Sequence, residues 1–477
     1  MRLSRFNQYI SDFPTAGSTL VYNTLTGAFL EIDGDTRADL ERLDRGEVEL
    51  DDIYYEEAWA DEDAQFLVTS HDVDERAFAE WYESMRSAPD VMQAIVSVTF
   101  ACNLDCTYCC QSDVLDGKTM TPASGEATAI FLADRAIAIG ARRLEVAFVG
   151  GEPLLQQKRI EDLVETMRTR VAAHGIAVRF SLITNGMFMT RELVERWVPL
   201  GLYAAQVTLD GDDTTHSLTR RSKKNAPDSY PTIFKNVIEC SDLIQILVNG
   251  NYQPDTISGF PGLIAKLREA GLKQGTRMHF SPALNALGAP SDSAVGSCTM
   301  GGANPEWVLG LRDKIVRAGF DAGDAVNIGP CAFHLRHFLA VDPLGHVYKC
   351  PGFLGKSEWA IGHVDTGLTS AYDRVVEAKP HEKSCGSCAH RPDCAGGCVA
   401  AEWIAKGKEE GINCEHDYFE RAGEELMKRK YVDLLADGDT SSSAFDLIPE
   451  IPLPSSAGGR GGTPSGRRSS ALRVLAA

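Results

Sequence analysis

Apolar and polar positions between residue 91 and about residue 285 switch repeatedly between two periods. Short apolar runs stand at 95–100, 144–149, 178–183, 204–209, 244–248 and 278–280. Between them, 123–139, 157–173, 192–200, 230–240 and 257–270 carry the three-to-four-residue spacing of amphipathic helices. Strands separated by helical crossovers pair in parallel, so the pattern predicts six β/α units on one sheet. The expected fold is α/β, a partial (β/α)6 barrel over 91–325, with its chemistry at the C-terminal ends of the strands. Upstream, 20–23 and 28–32 flank a Thr-Gly turn and read as a hairpin. Helical stretches and an acidic patch over 47–63 follow. Residues 1–90 therefore read as a small α+β module. It is either a solvated cap or a peptide-binding element whose hairpin edge accepts an added strand. From residue 437 onward Ser, Gly, Pro and Arg dominate, which predicts a disordered tail over 437–477.

Charge and composition narrow the function. The 477 residues are 44% apolar and 24% charged, with a formal net charge of −20. Phosphate binding needs basic surface, so nucleic acid is not the expected partner. No apolar run reaches membrane-spanning length, and the first residues lack the apolar stretch of a signal peptide. A cytoplasmic enzyme is the expectation, with no membrane contact. Its thirteen cysteines then read as ligands rather than disulfides.

The cysteines are unevenly placed. Cys102, Cys106 and Cys109 form C-x-x-x-C-x-x-C directly after the first predicted strand. Three thiolates in eight residues can hold three irons of one [4Fe–4S] cluster and leave the fourth open. A zinc knuckle would want a second pair of ligands nearby, and none follows in the chain. Gly150, Gly151, Glu152 and Pro153 end the second strand. Two glycines there allow close backbone approach, and a carboxylate can grip an ammonium group. Thr184-Asn185-Gly186 ends the third strand and Thr208-Leu209-Asp210-Gly211 the fourth. Each is a generic turn on its own. Together they set polar groups on four consecutive strand tips around one cysteine triplet. Seven further cysteines, Cys331, Cys350, Cys385, Cys388, Cys394, Cys398 and Cys414, crowd the C-terminal third. A structural zinc site on Cys385, Cys388, Cys394 and Cys398 would leave the other three unexplained. Cys240 reads as a small core residue on a helix.

With these motifs in this order, the chain resembles the radical S-adenosylmethionine (SAM) enzymes. The triplet with Tyr108 before its last cysteine matches that family's signature. The resemblance implies that the 150–153 turn holds the methionine amino group of SAM. It implies that Asn185 and the 208–211 segment, with Thr208 and Asp210, lie near the ribose and carboxylate. Thr208 stands where the family usually has Ser. Arg220 or Arg221 could supply a carboxylate contact. Cys110 would be a spectator, since SAM takes the fourth iron.

The C-terminal cysteines resemble the SPASM domain of radical SAM maturases, expected here over 326–436. That resemblance implies two auxiliary [4Fe–4S] clusters. One would use Cys385, Cys388, Cys394 and Cys414, the other Cys331, Cys350 and Cys398. The family's further cysteine upstream of Cys331 is missing from 324–330. The inner cluster would then carry an open iron, a water or a remote ligand such as Cys298. Pro351 stands where anaerobic sulfatase maturases carry a basic Asp, which argues against formylglycine formation. The implied function is a maturase whose 5′-deoxyadenosyl radical abstracts hydrogen from a ribosomally made precursor peptide. A thioether, C–C or C–O crosslink would follow, with flavodoxin or ferredoxin as electron donor. The N-terminal module more weakly resembles the leader-recognition element of such maturases. The alternatives are a maturase of a whole protein or peptide-derived redox cofactor, and a non-catalytic iron–sulfur electron carrier.

Overall fold

The computed structural model describes residues 1–52, 63–109, 111–223, 227–283, 304–326, 330–398, 402, 411–437, 439 and 441–454. Cys110, Cys298 and most of the acidic patch lie outside the described residues.

The expected six strands form, in chain order and all parallel: Val91–Ser97, Arg143–Val149, Ala177–Thr184, Leu202–Thr208, Gln245–Tyr252 and Arg277–Pro282. Their apolar positions alternate. In the second strand Leu144, Val146 and Phe148 are buried against the covering helices, while Glu145 and Ala147 face the other side. The crossover helices are equally direct. Pro122–Ala138 starts on Thr121, whose hydroxyl accepts the Ser124 N–H while the Ser124 side chain caps back. Its buried face of Ala129, Leu132, Ala133 and Ala136 lies in the same core as Ile160, Leu163 and Val164 of the next helix, Gln157–Val171. Cys240 ends the helix Tyr230–Cys240 with no exposure, the small core residue its pattern implied.

The sheet does not stop at the sixth unit. Phe338–Val341 pairs in parallel with the first strand, and His346–Tyr348, Gly362–His363 and Gly367–Leu368 continue it antiparallel. The result is an open ten-stranded sheet in which the cysteine-rich C-terminal third extends the first strand's free edge.

The N-terminal hairpin forms as Ser18–Asn23 and Phe29–Asp33, joined by Asn7–Ser11 into a three-stranded antiparallel sheet. It is neither isolated nor simply solvated. One of its apolar clusters sets Val21 and Ile32 against Leu40, Leu43 and Phe66. Another sets Ile10, Phe13, Leu20 and Tyr22 against Tyr418, Leu426, Met427 and Val432 of the long helix His416–Ala436. Each such side chain contributes roughly 1.5–3 kcal/mol on burial. That helix is fastened to the helix Pro305–Arg317 by the fully buried Arg429, which reaches Asp313 and Glu425 at 2.7 Å each.

The tail corrects the sequence reading. Disorder was expected from 437, yet Ala444, Phe445 and Ile448 are buried. The Phe445 carbonyl accepts from Arg317 at 3.2 Å, and Glu450 pairs with Lys314 at 2.9 Å. The apolar residues of 444–453 cover helix Pro305–Arg317, where Leu453 lies against Gly310. A composition averaged over the whole tail hid that short apolar segment. Residues 455–477, with the arginine-rich stretch, lie outside the described residues.

Candidate functional site

The site is built on strand tips, as parallel topology requires. The triplet loop leaves the first strand and forms a short strand of its own, Leu104–Cys106. This pairs antiparallel with Arg220–Ser222, with Arg220 opposite Cys106. The two arginines of that strand are placed differently. Arg220 is buried and turned inward, whereas Arg221 is exposed.

A hydrogen-bonded frame surrounds the loop. The Tyr108 hydroxyl donates to the Asp210 carboxylate and accepts from Arg220 Nη1 at 2.9 Å and Asn251 Nδ2 at 3.2 Å. Asp210 also accepts from the Asn251 N–H at 2.8 Å and the Thr219 hydroxyl at 3.2 Å. Its own N–H donates to His216 Nδ1 at 3.3 Å. Burial lifts the Asp210 carboxyl above its ordinary range, and Arg220, Tyr108, the Asn251 N–H and Thr219 pull it back. Arg220 is itself held charged, since Tyr108, Cys106 and Asp210 outweigh its burial. Three hydrogen-bond donors thus converge on the Asp210 carboxyl. Asn251, Thr219 and His216 were invisible to motif reading. They sit where strand tips converge, and no local pattern marks them.

The two glycines of the 150–153 turn make room for the cysteine loop itself. A Cβ on Gly150 would lie 2.4 Å from the Thr99 carbonyl, and one on Gly151 2.4 Å from the Ala101 carbonyl and 3.0 Å from Cys102 Cβ. The N–H groups of Gly151 and Glu152 bond those same carbonyls at 2.9 Å. The Glu152 carboxylate is fully buried. It accepts from Leu154 N–H at 2.9 Å, Thr184 Oγ1 at 2.7 Å and Asn185 N–H at 2.8 Å. Glu152 is a strut between the second and third strand tips, and Pro153 opens the short helix that follows. Asn185 Nδ2 in turn donates to Asn103 Oδ1 of the cysteine loop at 2.7 Å. Thr208 ends the fourth strand, almost fully buried.

The triplet thiols share one partly buried loop. Cys106 is pushed up to about 11, first by burial, with Arg220 opposing and Cys109 and Cys102 adding. Burial likewise raises Cys102. Such thiols ionise only against a strong local positive charge, which a bound iron cluster supplies. The donor set therefore fits the group. In the C-terminal third, Cys385 and Cys388 lie close enough to feel each other and Cys414, and Cys394 feels Cys385. That is the set implied for one auxiliary cluster. Cys331 and Cys398 line a cavity beneath the sixth strand, together with Cys394. Cys350 caps the turn Pro351–Phe353, its Sγ accepting the Gly352 N–H at 3.4 Å. Among the described residues, no three His, Cys, Asp or Glu side chains gather closely enough to hold a single metal ion.

Comparison with known proteins identifies one domain of the chain. Residues 96–252 match the radical SAM superfamily. The chain carries a radical SAM domain. Mycofactocin maturase MftC of Mycolicibacterium smegmatis is 25% identical over 339 residues, 64% of this chain and 78% of that protein. GTP 3′,8-cyclase of Corynebacterium glutamicum strain R is 32% identical over 131 residues, 27% of this chain and 34% of that protein. The cyclase of Rhodococcus opacus is 30% identical over 192 residues, 39% and 49% of the two chains. The chain thus spans a third to a half of the cyclases' length. The structure of anSMEcpe with bound AdoMet has the same fold. It superposes with a TM-score of 0.54 at 16% identity, covering 73% of this chain and 99% of that one. No described helix is long and apolar enough to cross a membrane.

Proposed function

We propose that the protein is a radical SAM/SPASM maturase of a ribosomally made precursor peptide. One observation carries this reading. The likeness to mycofactocin maturase runs over 339 residues, far beyond the 96–252 domain, whereas the likeness to the cyclases spans 131 to 192. Resemblance confined to the domain speaks for shared cofactor chemistry alone. Resemblance that continues past it speaks for shared substrate handling.

In this reading Cys102, Cys106 and Cys109 hold a [4Fe–4S] cluster that binds SAM. Cys385, Cys388, Cys394 and Cys414 hold one auxiliary cluster, and Cys331, Cys350 and Cys398 a second. When bound and reduced, the first cluster with SAM supplies a 5′-deoxyadenosyl radical able to take hydrogen from an unactivated carbon. The chain's own residues do the rest. The 150–153 backbone fixes the cysteine loop, and Asn185 and Thr208 line the strand tips where SAM would lie. Tyr108, Asp210 and Arg220 hold the loop's far side. The partial barrel keeps water from the reacting carbon. The product is a thioether, C–C or C–O crosslink, and the electron donor a flavodoxin or ferredoxin of the cytoplasm. A maturase of a whole protein or of a peptide-derived redox cofactor is the second reading, with the same chemistry on another substrate.

The test is anaerobic incubation of reduced protein and SAM with a candidate peptide from an open reading frame neighbouring its gene. Mass spectrometry is expected to show a product lighter by two hydrogens. An unchanged peptide, with SAM still cleaved, would move the substrate to the second reading.

A further inference from the structure

Lys349 breaks the apolar pattern around it. It follows the strand His346–Tyr348, where Val347 and Tyr348 are buried, and precedes Cys350. Its own side chain has no exposure. Its Nζ donates to two main-chain carbonyls, that of Leu335 and, at 2.8 Å, that of Phe338. The rings of Phe338 and Tyr372 stand 6.0 and 5.9 Å from it. Among the described residues no carboxylate lies within ion-pair distance of it. Two neighbouring cations are served differently. Arg336, whose N–H bonds the Arg86 carbonyl at 2.8 Å, reaches Glu377 at 2.7 Å, and Arg86 reaches Glu83 at 3.2 Å. Asp342, the buried carboxylate of the same hairpin, is taken by Tyr348 at 2.8 Å and His346 at 3.1 Å. An ammonium group buried among neutral partners alone is costly, so its retention calls for an anion close by.

The carbonyls that Lys349 holds point to that anion. Leu335 closes a short helix, Ala332–His334, whose first flanking residue is Cys331. The His334 N–H bonds the Cys331 carbonyl at 2.8 Å, and the Leu335 N–H bonds the Ala332 carbonyl at 3.1 Å. Cys331 therefore lies one turn from a carbonyl in the grip of Lys349. On its other side Lys349 joins Cys350 through the chain, and Cys350 heads the short helix Pro351–Phe353. Cys331 also shares a cavity wall with Cys398. The cavity thus joins Cys331 to Cys398, and the Lys349 side chain ties the Cys331 segment to Cys350. A cluster held by thiolates is an anion, and its reduction potential answers to the net charge around it. A fixed positive charge favours the reduced, more negative form and raises the midpoint.

We propose that Lys349 is a positioning residue of the inner auxiliary cluster and its buried counter-charge. Its two hydrogen bonds hold the Cys331 turn against Cys350, and its charge keeps the cluster's reduction potential raised. This rests on the reading of Cys331, Cys350 and Cys398 as ligands of one cluster.

The experiment uses full-length protein whose triplet is replaced by Ala, so that SAM-cluster signals are absent. Replacing Cys331 and Cys350 by Ala within that background identifies the iron and the EPR signal of the inner cluster by their loss. Iron content and an EPR-monitored redox titration are then measured for Lys349→Met, Lys349→Gln and Lys349→Arg. Lys349→Met loses charge and donors, Lys349→Gln keeps donors without charge, and Lys349→Arg keeps both. Lys349→Met and Lys349→Gln are each expected to lower the inner midpoint. The ratio of reduced to oxidised cluster at fixed potential should fall about tenfold, equivalent to about 59 mV for one electron. Lys349→Arg is expected to hold the parent midpoint. Loss of the inner iron alone from Lys349→Met and Lys349→Gln would support the tie between Cys331 and Cys350. An inner midpoint unchanged in either variant at full iron content would overturn the proposal and leave the cluster reading intact. Loss of both auxiliary clusters from the two variants would make Lys349 a residue of the fold and overturn it as well. A background whose iron does not fall when Cys331 and Cys350 are replaced would overturn the inner-cluster reading itself, and the proposal with it.

Discussion

The triplet signature asks only for an aromatic residue before its last cysteine, but the structure makes a demand on the Tyr108 hydroxyl. Tyr108→Phe keeps the ring and removes one oxygen. That oxygen donates to buried Asp210 and accepts from Arg220 at 2.9 Å and from Asn251 at 3.2 Å. Arg220 Nε already lacks a partner, so the guanidinium has little to spare. Hydrogen bonds to charged groups are worth about 1.5–3 kcal/mol each, and a stranded buried partner costs about as much again. Asp210 keeps two other donors, and water can reach the half-buried ring, which returns part of the loss. The net expectation is a loss of roughly 2–3 kcal/mol. For a unit of this size that lowers the melting midpoint by about 5–10 °C. Anaerobic thermal unfolding of the reconstituted protein measures it, with SAM affinity as a second readout. Arg220→Met alone should also destabilise. The double variant should lose less than the sum of the two, because the phenol and the guanidinium serve each other. A Tyr108→Phe protein that melts and binds SAM like the parent would refute the frame and leave Tyr108 a stacking residue only.

Two further predictions follow from close contacts. Gly151→Ala places a methyl 2.4 Å from the Ala101 carbonyl, a backbone atom that cannot swing aside. The variant is expected to lose the triplet's iron, about four of about twelve atoms per chain, and retention of full iron would contradict the packing. Deletion of residues 1–90 strips Ile10, Phe13, Leu20 and Tyr22 from the helix His416–Ala436. The shortened chain is therefore expected to bind hydrophobic dye and melt earlier, and a parent-like melt would show the N-terminal segment to be separable.

Legibility in the sequence tracks how local each feature is. The helix 230–240 was placed to the residue, because a tight apolar stripe and its neighbours carry the signal. The first strand was placed late, at 95–100 against Val91–Ser97, because Gln93 interrupts its apolar run. The pairing of Leu104–Cys106 with Arg220–Ser222 could not be read at all. Three-residue strands more than a hundred positions apart leave no period. The same holds for the parallel docking of Phe338–Val341 on the first strand and for the packing of the hairpin on the C-terminal helix. At the site, the cysteine spacing is legible without any structure, because it is itself the chemistry proposed. Side-chain roles were less so. The bracing role of Glu152 is one example. Only the three donors around it, contributed by the turn and the neighbouring strand tip, reveal a strut.

The central claim is that the triplet loop on these strand tips cleaves SAM by one-electron chemistry. The most direct measurement is 5′-deoxyadenosine formed from SAM by anaerobic, reconstituted and reduced protein, beside the Cys106→Ala variant. The account predicts product from the parent and none from the variant. Equal yields from the two proteins would contradict it.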